Sequence, residues 1–250
     1  MEKVLATGYL GIIGNIIFPR LSEIGYEAEG YDLKDGDDIL DTEKLTEKLK
    51  GKYACIHLAG IPAPWDLPWE EYEKTNIKGT QSVITACKKA KVKRLIYTSS
   101  GDIYGLCTGK TKPDKFPISE DNTLLDEKEE CFYSLTKRAC EKHLEEASSK
   151  DFTTIAFRLE SPVPEAAVLS YHFFISIGHD NLLEAFRSAL EPSFKGYGVF
   201  NIGDKEIHPS IGDNEIASLK AQYDVPDYTK ERQSLYDISK AISILGYNPK

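Results

Sequence analysis

Apolar residues along the chain occur in two patterns: short continuous runs, and longer stretches in which they return every three or four positions. The short runs predict buried strands, and the longer stretches predict helices with one apolar face. The predicted strands are Val4–Thr7, Tyr26–Tyr31, Tyr53–Leu58, Lys93–Thr98, Thr153–Arg158 and Gly198–Ile202. The predicted helices are a first one through Ile13, Ile16, Ile17 and Leu21, and then Asp41–Leu49, Trp69–Lys91, Tyr133–Ser149, Asp180–Leu190, Asp213–Tyr223 and Ser234–Leu245.

Strand-like and helix-like segments alternate along the chain, a pattern typical of an α/β protein. We therefore expect a Rossmann-type, doubly wound parallel sheet with helices on both faces. The last third of the chain is less regular. It is expected to form a small C-terminal lobe above the carboxyl ends of the strands, the edge at which such sheets bind substrates.

A glycine-rich turn, Gly8-Tyr9-Leu10-Gly11-Ile12-Ile13-Gly14, directly follows the first predicted strand. Because Gly8 and Gly11 lack a Cβ, the backbone could approach a pyrophosphate, and the first helical amides, those of Ile12 and Ile13, would hold its phosphates. Gly14 would let the helix pack closely on the sheet. The turn predicts a dinucleotide-binding domain over residues 1–158. A small substrate lobe, interleaved with the last strands and helices of the sheet, would follow over residues 159–250.

Asp32 stands at the end of the second predicted strand. A carboxylate there can accept hydrogen bonds from both hydroxyls of an adenosine ribose and would repel a 2′-phosphate. Asp32 therefore favours NAD over NADP as the cofactor. The alternative is that Asp32 only caps a turn.

Tyr133 and Lys137 are four residues apart, a spacing that places both side chains on one face of a helix. A phenol normally loses its proton near pH 10, and an ammonium group one turn away lowers that pKa. Tyr133 could then exchange a proton with a substrate hydroxyl while a hydride moves at the neighbouring carbon. The alternative is an ordinary solvated helix face.

Composition narrows the classes of function and location. The 250 residues carry a net charge of -9 without a basic stripe, which argues against a nucleic-acid partner. No segment reaches the ~18 apolar residues of a membrane helix, and Glu2-Lys3 before a strand is not typical of a signal peptide. The five cysteines show no metal-ligand spacing, so no metal site is expected, and their odd number suits a reducing cytoplasm. Cys131 is expected to be a packing thiol.

Further motifs occur in the order in which one known family carries them. They are Asp38-Ile39, His57-Leu58-Ala59-Gly60, Asn76-Ile77-Lys78-Gly79-Thr80 and the segment Thr98–Gly105. Together with the glycine turn, Asp32 and the Tyr133–Lys137 pair, they make the chain resemble the extended short-chain dehydrogenase/reductases. Within these enzymes it resembles the NAD-dependent epimerase/dehydratase group, over nearly its whole length.

The resemblance implies roles for individual residues. Ser100 would hydrogen-bond the reacting oxygen, Tyr133 would be the acid/base, and Lys137 would also hold the nicotinamide ribose. Cofactor contacts are implied for Asp38, Ile39, Leu58, Ala59, Gly60 and Asn76, and substrate contacts for Ser100, Gly101, Asp102 and Ser161. Purely structural hydrogen bonding is the alternative for Asn76 and His57, and core packing is the alternative for Ile39 and Leu58.

The substrate is less well defined by the resemblance. The segment Arg158–Glu165 resembles the uronate dehydrogenases, but the arginine that binds the carboxylate in those enzymes has no counterpart near Leu169 or Ser170. No Lys or Arg occurs from Leu159 to Phe186, so a nucleotide diphosphate would be poorly held. The dehydratase branch has an adjacent Asp-Glu pair where this chain has Gly101 and Asp102, which makes plain redox chemistry the expectation.

These features predict an enzyme that transfers a hydride between NAD and a hydroxyl or carbonyl of a small sugar-like substrate. The alternative is a nucleotide-sugar epimerase that keeps NAD tightly bound, and a non-catalytic dinucleotide sensor is a third possibility. A homodimer is expected through the helices Trp69–Lys91 and Tyr133–Ser149, as in relatives. Their apolar stripes are Val83, Cys87 and Ala90 on one helix and Ala139, Leu144 and Ala147 on the other. Both stripes could instead face the sheet.

Overall fold

The computed structural model describes residues 1–62, 67–106, 112–125, 131–160, 162, 173–223, 225 and 232–250. In this part of the chain, six strands form one sheet in the order β2-β1-β3-β4-β5-β6, and all five pairings are parallel. The strands are β1 (Glu2–Thr7), β2 (Tyr26–Tyr31), β3 (Ala54–His57), β4 (Arg94–Ser100), β5 (Thr153–Leu159) and β6 (Tyr197–Ile202). The predicted Rossmann-type parallel sheet is confirmed.

Helices alternate with these strands, as the sequence pattern predicts. The α-helices are α1 (Ile12–Ile17), α2 (Thr42–Leu49), α3 (Trp69–Tyr72), α4 (Gly79–Ala90), α5 (Phe132–Ala147), α6 (His179–Leu190) and α7 (Asp213–Gln222). Tighter 3₁₀ segments occupy Phe18–Ile24, Leu33–Asp35 and Gly101–Tyr104, and π-helical turns occupy Glu73–Lys78 and Ala241–Leu245. The predicted long helix Trp69–Lys91 is thus two α-helices joined by a π-helical turn.

The two faces of the sheet carry separate apolar cores. In β1, Val4 and Ala6 pack into the core that includes residues of α1, α6 and α7, whereas Leu5 packs into the core that includes residues of α2, α4 and α5. This alternation follows from the two-residue period of a strand. The helices on both faces leave the carboxyl ends of the strands as the edge at which a site can form.

Two predicted helices have different bounds in the structure. The first α-helix ends at Ile17 and continues as a 3₁₀ segment, because Pro19 has no N–H to donate into the α-helical ladder. The predicted helix Ser234–Leu245 is shorter, since the backbone around Tyr236 pairs with Ile118 instead. Ile118 N–H donates to the carbonyl of Leu235, and Asp237 N–H donates back to Ile118.

The stripes that suggested a homodimer lie mostly in the sheet-side core. Val83, Cys87, Leu144 and Ala147 are buried within the single chain, where they pack with β-strand residues. The outer positions of α4 and α5 are instead polar or charged, including Gln81, Thr85, Lys88, Arg138 and Lys142. These contacts support the alternative that the stripes face the sheet, and the homodimer stays a prediction.

Two further expectations concern the membrane and the cysteines. Among the described residues, no helix has both the length and the apolar character needed to cross a bilayer. Cys131 is disulfide-bonded, so the expectation of a packing thiol at this position was wrong, whereas Cys55, Cys87 and Cys140 are free and buried.

Candidate active site

A cleft of about 400 Å³ opens at the carboxyl ends of β1, β3, β4 and β5. It brings together residues that are far apart in the sequence, as the parallel sheet predicts. The predicted site residues that line it are Gly8, Gly11, Ile12, Ile13, Gly14, Leu58, Gly60, Ser100, Asp102, Tyr133 and Lys137. The described lining also includes residues that the sequence analysis did not assign, among them Ile61, Thr98, Glu160 and Pro162.

The glycines of the first turn are required mainly by close approach of backbone to backbone. Gly8 has a φ of +69°, and a Cβ there would lie 2.5 Å from the amide nitrogen of Ala59. A Cβ on Gly14 would collide with the backbone of Tyr9, so Gly14 is needed for close packing of α1 on the turn itself. Because α1 starts at Ile12, its first turn lies at the cleft.

Asp32 is buried at the end of β2 and holds the turn in place. Its Oδ2 accepts a hydrogen bond from Leu10 N–H at 3.1 Å, and its Oδ1 accepts one from Lys34 N–H at 2.9 Å. Asp32 therefore does cap the turn, as the alternative proposed, and its contact with a ribose stays a prediction. Each carboxylate oxygen has a second lone pair, so ribose binding is compatible with this arrangement.

Asn76 uses its amide group to join two parts of the site. Its Oδ1 accepts from Ile61 N–H at 2.7 Å, and its Nδ2 donates to Ile61 O at 3.3 Å and to Thr136 Oγ1 at 3.1 Å. These contacts support the structural alternative, because Asn76 ties the chain after β3 to α5 and does not line the cleft. His57 is also structural: its ring contacts Thr7 and Thr80, and burial lowers its pKa to about 3.

Several other predicted contacts lie outside the cleft lining. Asp38 Oδ1 accepts from Leu40 N–H at 2.9 Å, and Ile39 packs in the core against the position of Gly79. Ala59 N–H donates to Thr7 Oγ1 at 3.4 Å. Ser161 lies outside the described residues. The cofactor roles of Asp38, Ile39 and Ala59 remain predictions.

The three predicted catalytic residues meet at the cleft. Ser100 ends β4 and lines the cleft together with Tyr133, which lies in the first turn of α5. Lys137, one turn further along, donates from Nζ to the carbonyl of Thr98 at 2.7 Å and lies 5.5 Å from the centre of the Tyr133 ring. The end of a strand and the start of a helix thus bring these three residues to one cleft.

The electrostatics of Tyr133 differ from the prediction. Burial raises the pKa of Tyr133, and the negative charges of Asp102 and Glu160 raise it further, while the hydrogen bond with Ser100 lowers it. Burial also lowers the pKa of Lys137 to about 8. The pKa of Tyr133 is therefore raised overall and not lowered as expected, since burial disfavours the charged phenolate.

Glu160 is the principal lining residue that the sequence analysis missed. It follows β5 directly, and its carboxyl group lies against Gly101, the residue after β4. Its position follows from strand register, which the sequence alone does not give: Ser100 pairs with Leu159, so the next residues on the two strands are neighbours. Gly101 does not line the cleft, whereas Asp102 does.

Comparison with known proteins agrees with this geometry. A family model described as the 3-beta hydroxysteroid dehydrogenase/isomerase family matches residues 20–161, more than half of the chain. A 2-alkyl-3-oxoalkanoate reductase of Stenotrophomonas maltophilia is 24% identical over 171 residues, which are 62% of this chain and 49% of that protein. The chain thus spans about half the length of this curated relative.

Solved structures share the whole fold. UDP-glucose 4-epimerase from Brucella ovis in complex with NAD superposes with a TM-score of 0.75 at 21% identity, covering 100% of this chain and 94% of the other. Uronate dehydrogenase from Agrobacterium tumefaciens gives a TM-score of 0.73 at 19% identity, covering 100% and 85%. At these identities the likeness concerns the fold.

Proposed function

Because the chain belongs to the 3-beta hydroxysteroid dehydrogenase/isomerase family of extended short-chain dehydrogenase/reductases, we propose that it is an NAD-dependent oxidoreductase. It transfers a hydride between NAD and a hydroxyl or carbonyl group of a small sugar-like substrate. The observation that carries this proposal is the meeting of Ser100, Tyr133 and Lys137 in one cleft with the glycine turn.

The residues of the cleft fit a dinucleotide. The glycine turn presents backbone without side chains: a Cβ on Gly11 would lie 3.1 Å from the carbonyl oxygen of Gly8. The turn and the amides of Ile12 and Ile13 would hold the pyrophosphate, and Asp32 would hold the adenosine ribose. Bound NAD supplies the hydride acceptor or, when reduced, the hydride donor. That a solved structure of the same fold contains NAD supports this choice of cofactor.

Tyr133 handles the proton at its phenol oxygen. With its pKa raised, the phenol is protonated at neutral pH, the form that donates a proton to a carbonyl oxygen. In the opposite direction the phenolate takes the proton of a substrate hydroxyl, and the positive charge of Lys137 favours that form. Ser100 lines the cleft with Tyr133 and would orient the reacting oxygen. Lys137 keeps two N–H donors beyond its bond to Thr98, enough to hold a ribose hydroxyl.

The test uses Tyr133→Phe, with Tyr53→Phe as the matched control. Tyr53 directly precedes β3, so it lies at the amino ends of the strands, opposite the cleft. Its hydroxyl donates to Leu190 O at 3.0 Å. Absorbance at 340 nm is followed with NAD and a panel of free hexoses, uronates and polyols. We expect Tyr133→Phe to lose about 100-fold or more in kcat while its calorimetric Kd for NAD is unchanged. Normal turnover in Tyr133→Phe would overturn the proposal.

The same preparation separates the two alternatives raised from the sequence. An epimerase would retain NAD through purification and would interconvert sugars without net change at 340 nm. A non-catalytic sensor would bind NAD but turn over none of the panel. The meeting of Ser100, Tyr133 and Lys137 in one cleft favours an enzyme over a sensor.

A further inference from the structure

Gly101 and Glu160 lie side by side just after the paired ends of β4 and β5, where Glu160 lines the cleft. Strands β4 and β5 pair in parallel with Ser100 opposite Leu159, so the chain places the two following residues side by side. A Cβ on Gly101 would collide with Oε1 of Glu160 and lie 3.0 Å from its Cδ. Gly101 does not have a left-handed φ, so its backbone conformation does not require glycine. The space next to Gly101 is taken by the carboxyl group of Glu160.

This arrangement puts two carboxyl groups beside the acid/base. Asp102 and Glu160 are 5% and 6% exposed, and both line the cleft. The negative charge of each acts on the phenol of Tyr133. Lys137 is the single cation among the described lining residues, and its Nζ is bonded to Thr98 O on the sheet. Among the residues that the structure describes, the wall of the cleft beside Tyr133 is therefore acidic.

We propose that Glu160, held against Gly101, is a specificity-determining residue that accepts hydrogen bonds from the hydroxyls of a neutral sugar or polyol and excludes carboxylate substrates. This inference rests on the proposed function. An ionised carboxylate accepts hydrogen bonds and donates none, so vicinal hydroxyls are suitable partners. A uronate would bring a third negative charge to this wall, where burial strengthens repulsion.

The experiment compares kcat/KM for D-glucose with D-glucuronate and for D-galactose with D-galacturonate, at saturating NAD. The variants are Glu160→Gln, which keeps the shape and removes the charge, and Gly101→Ala, which displaces the carboxyl group. Glu145→Gln, on the exposed face of α5, is the control for removing an acidic charge elsewhere. We expect the wild type to prefer the neutral sugar by about tenfold or more. Glu160→Gln should reduce that ratio by about tenfold, through improved use of the uronate.

A pH profile provides a readout that a merely structural role would not move. Among the residues that the structure describes, the groups that act on Tyr133 or lie near its ring include Asp102, Glu160, Tyr72, Ser100 and Lys137. Glu160→Gln removes one negative charge from this set, so the pH dependence of kcat should shift to lower pH. Glu145→Gln should leave the profile where it is in the wild type.

The outcomes are distinct. A wild-type preference for either uronate overturns the inference even if Glu160→Gln fails to fold. An unchanged ratio in folded Glu160→Gln also overturns it, and both results leave the oxidoreductase proposal intact. If the wild type turns over none of the four sugars, the proposed sugar substrate fails and the inference fails with it.

Discussion

Arg158 and Glu141 form a buried, bidentate ion pair next to the candidate site. Arg158 Nε donates to Glu141 Oε1 at 3.0 Å and Nη2 donates to Oε2 at 2.8 Å, with side chains 4% and 7% exposed. Ser99, the neighbour of Ser100, donates to the same carboxylate at 2.6 Å. Because Glu141 lies one turn after Lys137, this pair fixes α5 to the ends of β4 and β5.

Removing one member of this pair should be strongly destabilising. Arg158→Met leaves a buried carboxylate without its cation, which costs about 3–5 kcal/mol of unfolding free energy. The control is Arg187→Met, which breaks the more exposed pair with Glu184 and should cost about 1 kcal/mol or less. Urea unfolding measures both. Equal losses in the two variants would contradict this account, as would a double variant Arg158→Met/Glu141→Leu no more stable than Arg158→Met.

Lys137 should lower the free energy of unfolding at pH values below the pKa of its buried ammonium group. Burial lowers the pKa of Lys137 from 10.5 to about 8. Between these values the unfolded chain holds a proton that the folded chain has released, so the free energy of unfolding rises with pH. The wild type should therefore gain about 3 kcal/mol relative to Lys137→Met as the pH rises from about 8 to 10.5.

Urea unfolding of the NAD-free protein at pH 7.5 and 10.5 tests this window. Lys142→Met, which removes an exposed lysine from the same helix, controls for changes that any lysine substitution causes. A difference between wild type and Lys137→Met that stays constant over the window would show that burial does not shift the pKa of Lys137.

Much of the sheet and the catalytic helix could be predicted from local pattern. Apolar runs mark all six strands to within a few residues, and the spacing of Tyr133 and Lys137 marks one face of α5. The π-helical turn Glu73–Lys78 has no distinctive residue pattern that we recognised. Pro19 is a local signal for the end of α1, but the apolar spacing that continues to Leu21 led us to predict a longer helix.

The chemistry of the cleft was harder to predict because it depends on contacts between distant segments. The pKa of Tyr133 is raised by burial, by Asp102 and by Glu160, and Glu160 reaches the site only through the register of β4 and β5. Likewise, the close contact of Gly8 is with Ala59 of another strand end. A sequence names these residues but does not place them together.

Asp32 should set the cofactor preference and also stabilise the turn. We expect the wild type to bind NAD more tightly than NADP, and Asp32→Ser to narrow that difference by about tenfold, since the repelling charge is lost. Ser can still accept from Lys34 N–H, so it separates charge from capping. Asp32→Ala should lose a further ~1 kcal/mol of stability. Fluorescence titration with NADH and NADPH measures the preference, and tighter binding of NADPH by the wild type would reject this role.

Asn76 should affect the cofactor site without touching the cleft. Asn76→Ala leaves Ile61 N–H without its 2.7 Å acceptor and breaks the link to Thr136 beside Lys137. A buried donor left unpaired costs about 1–3 kcal/mol, so the midpoint of urea unfolding should fall. Asn76→Asp keeps the acceptor for Ile61 N–H and removes the Nδ2 donor to Ile61 O and Thr136 Oγ1, so it should lose less stability than Asn76→Ala. If the Kd for NAD worsens in Asn76→Ala and is largely restored in Asn76→Asp, the Ile61 contact positions the cleft wall. Equal Kd values in all three proteins would limit Asn76 to a role in stability.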